Sequence, residues 1–204
     1  MTRAEPLVTA ALVAEALRLN ARYVDEVVIG WGLCPWAAQA WRAGAVARRV
    51  LVDPTAGVDP VLAFVDEIAA RPAISIGLVI FPRLDLDETA FGTFAERVRR
   101  ADRARRAPGA AAPFLVAAFH PAFRADRAAT AEPSTLVPFI RRTPDPTLQL
   151  VRAEILNGLA HEGRDVSAEI ARANQATVAA RTPEALDAVL RDIRRDREAA
   201  YARI

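Results

Sequence analysis

The sequence has little of what cross-linked and membrane-spanning proteins need. Its 204 residues include one cysteine, Cys34, so no disulfide can form within the chain and paired thiolates for a zinc site or a Cys-x-x-Cys motif are excluded. The longest strongly apolar run, Ile74 to Phe81, is too short to cross a bilayer, and charged residues interrupt the first twenty positions. We therefore expect a cytoplasmic protein with no membrane partner.

Lysine is absent, and the 27 basic residues, all arginine, are nearly balanced by 25 acidic ones, leaving a formal net charge of +2. The densest basic stretch, Arg97 to Arg106, lacks interleaved aromatic residues and ends a predicted helix, where cations oppose the negative end of the dipole. This pattern argues against nucleic acid as a partner. No glycine fingerprint for nucleotide phosphates is present, so nucleotide hydrolysis and dinucleotide-dependent hydride transfer have no support.

Apolar residues make up 52% of the chain, a globular composition, and no linker divides it, so we predict a single domain over residues 1–204. Helical periodicity covers residues 7–28, and apolar runs at 46–52, 74–81 and 114–119 alternate with two further helices. This order predicts an α/β fold with a small, mostly parallel sheet of about three strands covered by helices. An α+β sheet with one antiparallel strand is the alternative. The uncharged run 114–119 is predicted to be an interior strand.

The C-terminal part is predicted to be helical. Asp145 and Pro146 form a start signal, and Leu148, Val151 and Ile155 continue one apolar face, so we predict a helix beginning at Pro146. Further helices are predicted at 165–179 and from Thr182 onwards. The proline-rich stretch 120–146 has no clear periodicity and is predicted to be a long loop that is either functional or disordered.

Three irregular segments concentrate residues capable of chemistry. His120 follows a predicted strand, where ligands bind in open α/β sheets, and its imidazole could act as a base or bind a metal. Cys34 lies in a turn rich in glycine and tryptophan, and Trp36 there could line a flat pocket. Arg141 and Arg142 precede the predicted helix at Pro146, whose N-terminus would help bind an anion. One shared site is the simplest explanation of all three segments.

The same segments resemble a known family. Leu33-Cys34-Pro35-Trp36-Ala37, Phe119-His120-Pro121 and the stretch Arg142 to Glu154 are similar, in order, to three sequence blocks of the bacterial DUF1415 family. Trp36 stands where that family has phenylalanine, Asp145 where it has an aromatic residue, and Gln149 where it has histidine. The resemblance implies no reaction, because the family is of unknown function. It singles out Cys34, His120, Arg142, Arg152 and Glu154 as site residues.

Three hypotheses for the function follow. In the first, an enzyme acts on a small anionic metabolite, with Cys34 as nucleophile or redox group, His120 as general base and Arg142, assisted by Arg141, as the anion clamp. In the second, the protein binds haem or a metal through His120 or Cys34. In the third, the tryptophan-rich surface forms a homodimer that has no catalytic activity.

Overall fold

A four-stranded mixed sheet forms the centre of the structure, a computed structural model that describes residues 4–34, 36–107, 109–123, 141–155 and 166–204. The strands lie in the order β1-β2-β4-β3. β1 and β2 are parallel, whereas β4 runs antiparallel to both of its neighbours. The bounds are β1 (Val46–Val50), β2 (Ile76–Ile80), β3 (Phe114–Phe119) and β4 (Thr147–Arg152). The prediction of a mostly parallel three-stranded sheet is therefore wrong, and the α+β alternative describes the mixed sheet better.

Helices pack against this sheet, in agreement with the expectation of a sheet covered by helices. None of the helices in the described ranges is long and apolar enough to cross a membrane. A π-helical turn, Val24–Ile29, continues the first helix. The helices are α1 (Ala4–Tyr23), α2 (Ala37–Arg42), α3 (Val58–Ala69), α4 (Glu88–Ala104), α5 (Val166–Arg181) and α6 (Pro183–Tyr201).

The segment after Pro146 forms strand β4 rather than the predicted helix. Leu148 and Leu150 are fully buried on the face of the sheet that packs against α3 and α4, while Thr147 and Gln149 point to the opposite face. The same six residues satisfy a period of two as well as a helical period. Hydrogen-bonded neighbours on both sides decide in favour of the strand, because each backbone group finds a partner there.

β3 has the predicted bounds, but it lies at the edge of the sheet and not in its interior. β4 inserts between β2 and β3 and takes the central position. The outer face of β3 is partly open, since Leu115 is 51% exposed. Arg99 of α4 donates a hydrogen bond from Nε to the Val116 carbonyl at 3.0 Å, which places a charged side chain along the free edge.

Two apolar clusters hold the layers together. The first lies between the sheet and the pair α3 and α4, and includes edge-to-face contacts of the Phe81 ring with Phe91 and Phe94. The second lies between the π-helical turn, α5 and α6, around Trp31 and Leu33. α6 therefore packs over the turn that contains Cys34, and α1 lies beside it.

Gly77 provides a test of the first cluster. A Cβ atom at this position of β2 would lie 2.7 Å from Ile68 Cδ1 and 3.1 Å from Leu150 Cδ1. We expect Gly77→Ala to lower the free energy of unfolding by about 1–3 kcal/mol through overpacking. The control is Gly92→Ala in α4, where a Cβ meets no atom within 4 Å and should stabilise the helix by about 0.5–1 kcal/mol. Urea denaturation measures both, and a shift of the two variants in the same direction would contradict this packing.

Ion pairs join α1 to α6 and predict a dependence of stability on pH. Asp196 accepts hydrogen bonds from Arg18 at 2.8 Å and from Arg22 at 3.0 Å, and these arginines, Arg18 first, lower the pKa of Asp196 to about 2. Because the pKa is lower in the folded state, the stabilisation is present above the unfolded value near 4 and is lost as the pH falls towards 2.

The contribution is small, about 1 kcal/mol, because the pairs are partly exposed, and this corresponds to about 2–4 °C in melting temperature. Asp196→Asn should lower the melting temperature at pH 7 and match the wild type near pH 2. A constant difference across that range would show that the ion pairs do not account for it. Thermal melts at low salt provide the measurement.

Candidate functional site

Pairing of β3 with β4 brings His120 next to the two predicted anion-binding arginines. Phe119 is opposite Thr147 in the antiparallel register, so the residues just outside these ends meet. The backbone N–H of His120 donates to the Arg141 carbonyl at 2.8 Å. His120, Arg141 and Arg142 therefore lie at one end of the sheet. The middle of the predicted loop between them, residues 124–140, lies outside the described residues.

The His120 ring is packed and bonded on both nitrogens. Its Nδ1 accepts the backbone N–H of Ala122 at 3.2 Å, so the proton is on Nε2, which donates to the Leu86 carbonyl at 2.9 Å. The residue is 8% exposed, and the Phe91 ring lies 5.9 Å away between centroids. These contacts fix the end of β3 to the segment before α4. A role as general base or metal ligand would require one of the two hydrogen bonds to break.

A small cavity separates the Arg142 segment from α6. Its volume is about 20 Å³, the space of one water molecule. Arg142 is fixed beside it, because Nε donates to the Phe123 carbonyl at 3.0 Å and Nη1 donates to Asp187 Oδ1 at 2.9 Å. From α6, Arg194 donates to the Pro121 carbonyl at 3.1 Å. The lining residues are Pro121, Arg142, Thr143, Pro144, Leu190, Ile193 and Arg194.

The buried carboxylate of Asp145 joins α6 to the segment that follows Arg142. Asp145, 2% exposed, accepts hydrogen bonds from Arg197 Nε at 2.6 Å and from the Tyr201 hydroxyl at 2.8 Å. Burial raises the pKa of Asp145, and the contacts with Arg197 and Tyr201 oppose that shift. Arg197 also donates to the Pro82 carbonyl at 3.3 Å, so one guanidinium connects α6, the segment before β4 and the loop after β2.

The backbone around Asp145 is held as firmly as its side chain. The hydroxyls of Thr143 and Thr147 both donate to the Asp145 carbonyl, at 2.7 and 2.8 Å. The Phe81 N–H donates to the Pro146 carbonyl at 3.0 Å. Residues 143–148 are consequently all buried, and the chain direction at Arg142 is fixed relative to the sheet.

Cys34 packs against the second cluster, and among the described residues no hydrogen bond joins it to His120 or Arg142. The turn before it is held from α5, where Asn174 donates to the Leu33 carbonyl at 2.8 Å and the Arg181 guanidinium stacks 4.0 Å above the Trp31 ring centroid. Burial raises the pKa of the Cys34 thiol, and hydrogen bonds from backbone N–H groups, including that of Trp36, only partly oppose the rise. The Cys34 side chain is therefore a thiol rather than a thiolate at neutral pH. Half-buried Trp36 is the N-cap residue that precedes α2.

Arg152 and Glu154 lie at the far end of β4. Arg152 follows Thr147 by five residues along the strand, which corresponds to about 17 Å. Its guanidinium donates to the carbonyls of Ile68, Arg71 and Ile74 and lies 4.9 Å from the Phe114 ring centroid. Glu154 is exposed beyond the strand. The structure thus separates these two residues from the cavity beside Arg142, and gives Arg152 the role of holding the C-terminal end of α3.

Comparison with protein families agrees with the resemblance seen in the sequence blocks. A family model described as a protein of unknown function, DUF1415, matches residues 15–188. The chain belongs to the DUF1415 family. No curated protein and no solved structure matches it. In this DUF1415 protein, the two side chains that bond to the Asp145 carboxylate, Arg197 and Tyr201, lie beyond the matched region. Three cavity-lining residues also lie beyond it, namely Leu190, Ile193 and Arg194.

These α6 residues are the part of the site that sequence reasoning missed. Asp145 was assigned to a helix N-terminus, which the strand β4 replaces, so no dipole assists Arg142. The sequence offers one signal for these partners: Asp145 stands where the family block that this segment resembles has an aromatic residue. An acidic side chain between two prolines needs a partner when it is buried. No cluster of three or more histidine, cysteine or acidic side chains that could share a metal ion occurs among the described residues.

The buried contact predicts a large loss of stability for Asp145→Asn. The change leaves the Arg197 guanidinium without its carboxylate, and we expect the free energy of unfolding to fall by about 3–5 kcal/mol. The matched control is Asp192→Asn, an exposed carboxylate on α6 bonded to Arg22 and Arg195, which should cost about 1 kcal/mol or less.

The double variant Asp145→Leu with Arg197→Met removes both charges and should lose less than the sum of the single changes. Chemical denaturation gives all of these values. An Asp145→Asn variant as stable as Asp192→Asn would contradict the buried pair.

Proposed function

We propose that the protein is an enzyme that binds the acidic group of a small metabolite in the cavity between the Arg142 segment and α6. The observation that supports this most directly is that two arginines, Arg142 from the segment before β4 and Arg194 from α6, line one small cavity. Among the described residues, Asp187 is the carboxylate bonded to Arg142 and Arg194 bonds a backbone carbonyl, so two arginines and one carboxylate lie at the cavity.

The size of the cavity suits the oxygen atoms of a carboxylate or phosphate rather than a whole metabolite. Such an oxygen takes about the room of one water molecule and can replace it while reproducing its hydrogen bonds. Arg194 is exposed and Pro121 is half-buried, so the remainder of the ligand can extend towards solvent.

The protein also orients the guanidinium in advance. The Phe123 carbonyl and Asp187 hold Nε and Nη1 of Arg142, which fixes the plane of its donors. A planar fork of donors binds an oxyanion with defined geometry, whereas an ammonium group acts as a point charge. The Arg142 side chain therefore loses little further conformational entropy when a ligand binds.

Binding is better supported than the assigned catalytic roles. Both ring nitrogens of His120 already have partners, and Cys34 is a partly buried thiol packed against the second apolar cluster. The roles of His120 as base and Cys34 as nucleophile stay predictions, as do the haem and homodimer hypotheses. His120 supports the proposed site by holding the Arg141 backbone in place.

Titration calorimetry with phosphate and acetate tests the proposal. We expect Arg194→Gln and Arg142→Lys each to weaken binding at least about tenfold, equivalent to about 1.4 kcal/mol, because the first removes a donor and the second removes the planar fork. Arg191→Gln is the matched control, an exposed arginine of the same helix that does not line the cavity, and should bind like the wild type. Absence of binding to the wild type, or an equal loss in Arg191→Gln, would refute the proposal.

A further inference from the structure

Thr182 joins α5 to α6 in a strained backbone conformation. Its φ is 66° and its ψ is 133°, and among the described residues it is the one other than glycine that has a positive φ. A β-branched side chain makes this conformation costly, and the ring of the following Pro183 restricts the backbone further. Such a conformation persists only where surrounding contacts impose it, and strain of this kind is common at switch regions.

The contacts of α6 fix one side of this joint. The Thr182 hydroxyl accepts the backbone N–H of Ala185 at 3.3 Å and so caps α6. Leu186 and Ile193 are buried in the second cluster, and Arg197 bonds the buried Asp145 carboxylate. Because α6 cannot turn without breaking this packing, the strain at Thr182 can be relieved only by a movement of α5.

The described part of α5 buries little apolar surface. Among its described side chains only Asn174 and Val178 are buried, and the neighbouring alanines at 173, 176, 179 and 180 are exposed. An element of this kind opens locally at a lower free energy than the whole domain unfolds. α5 is therefore the weaker side of the joint.

The contacts that hold α5 converge on the turn before Cys34. Asn174 donates to the carbonyl of the Leu33–Cys34 peptide bond at 2.8 Å. Arg181 donates from Nη1 to the Gly30 carbonyl at 2.7 Å and covers one face of the Trp31 ring. α5 thus lies across the turn, and its release would leave these backbone carbonyls and the indole face uncovered.

We propose that α5 is a hinged cover over residues 30–34, with Thr182 as its hinge. In the closed position α5 holds the turn and Thr182 is strained. When α5 swings away, Thr182 returns to a negative φ and the turn becomes accessible, while α6 stays in place. Relief of the strain offsets part of the cost of the lost contacts. No described residue of α5 lines the anion cavity, so the cover does not depend on the proposed anion site.

The rate at which dithiodipyridine labels the native protein tests this cover. Cys34 is the one cysteine of the chain, so the reaction reports on this turn alone. Burial raises the pKa of the Cys34 thiol, so the open form should also react faster because more of it is thiolate. We expect the labelling rate to increase with urea far less steeply than global unfolding does, since opening of α5 exposes only a small part of the buried surface. A rate that increases as steeply as global unfolding would refute the cover.

Two substitutions should change the rate in opposite directions. Thr182→Gly accepts the positive φ without strain, so the closed form is favoured and labelling should slow at least about fivefold. Asn174→Ala removes the bond to the Leu33 carbonyl, so labelling should become about fivefold faster. The controls are Thr182→Ser, which keeps the capping hydroxyl and a Cβ atom, and Arg172→Gln at an exposed position of α5. Both should be labelled like the wild type.

The outcomes separate the hinge from the cover. A Thr182→Gly variant labelled as fast as the wild type, or faster, would refute the hinge. An Asn174→Ala variant labelled at the wild-type rate would show that Cys34 reacts without movement of α5, which would refute the cover. If Asn174→Ala acts only by destabilising the whole domain, its labelling rate will increase with urea as steeply as its global unfolding, and this result also contradicts the proposal.

Discussion

The buried carboxylate of Asp145 is the contact on which the candidate site depends. It lies between two prolines just before the central strand β4, and its partners Arg197 and Tyr201 come from the last helix. The other polar contacts between α6 and this region, Asp187 with Arg142 and Arg194 with the Pro121 carbonyl, are partly exposed and hold α6 less firmly. A buried ion pair contributes little net stability, but it penalises every arrangement that leaves one charge alone.

The consequences of this contact extend in two directions. Towards the cavity, it fixes two of the lining residues, Arg142 and Arg194, which are the donors of the proposed anion site. Towards the second apolar cluster, it holds the α6 stripe that covers the turn containing Cys34. His120 completes the arrangement from β3, because its ring and backbone join the segment before α4 to the segment before β4.

Local patterns were enough to predict most elements, and long-range pairing accounts for what they missed. The bounds of β3 and the stripes of α1, α4 and α6 were readable because one apolar period dominates each segment. β4 was mistaken for a helix because Leu148 and Val151 fit both periods, and only its pairing with β2 and β3 distinguishes them. The strand end and the basic pair predict His120 and Arg142 as site residues, which stays a prediction, whereas the partners of Asp145 are more than fifty residues away, beyond any local signal.

The most direct test is phosphate affinity in Asp145→Asn, measured by titration calorimetry at a temperature where circular dichroism shows that the variant is folded. The asparagine keeps the size of the side chain but loses its charge, so the buried ion pair with Arg197 is lost and only the partly exposed contacts of Asp187 and Arg194 still join α6 to the other residues that line the cavity. We expect the affinity to fall at least about tenfold, although Asp145 itself does not line the cavity. A folded Asp145→Asn variant that binds phosphate as tightly as the wild type would contradict the account.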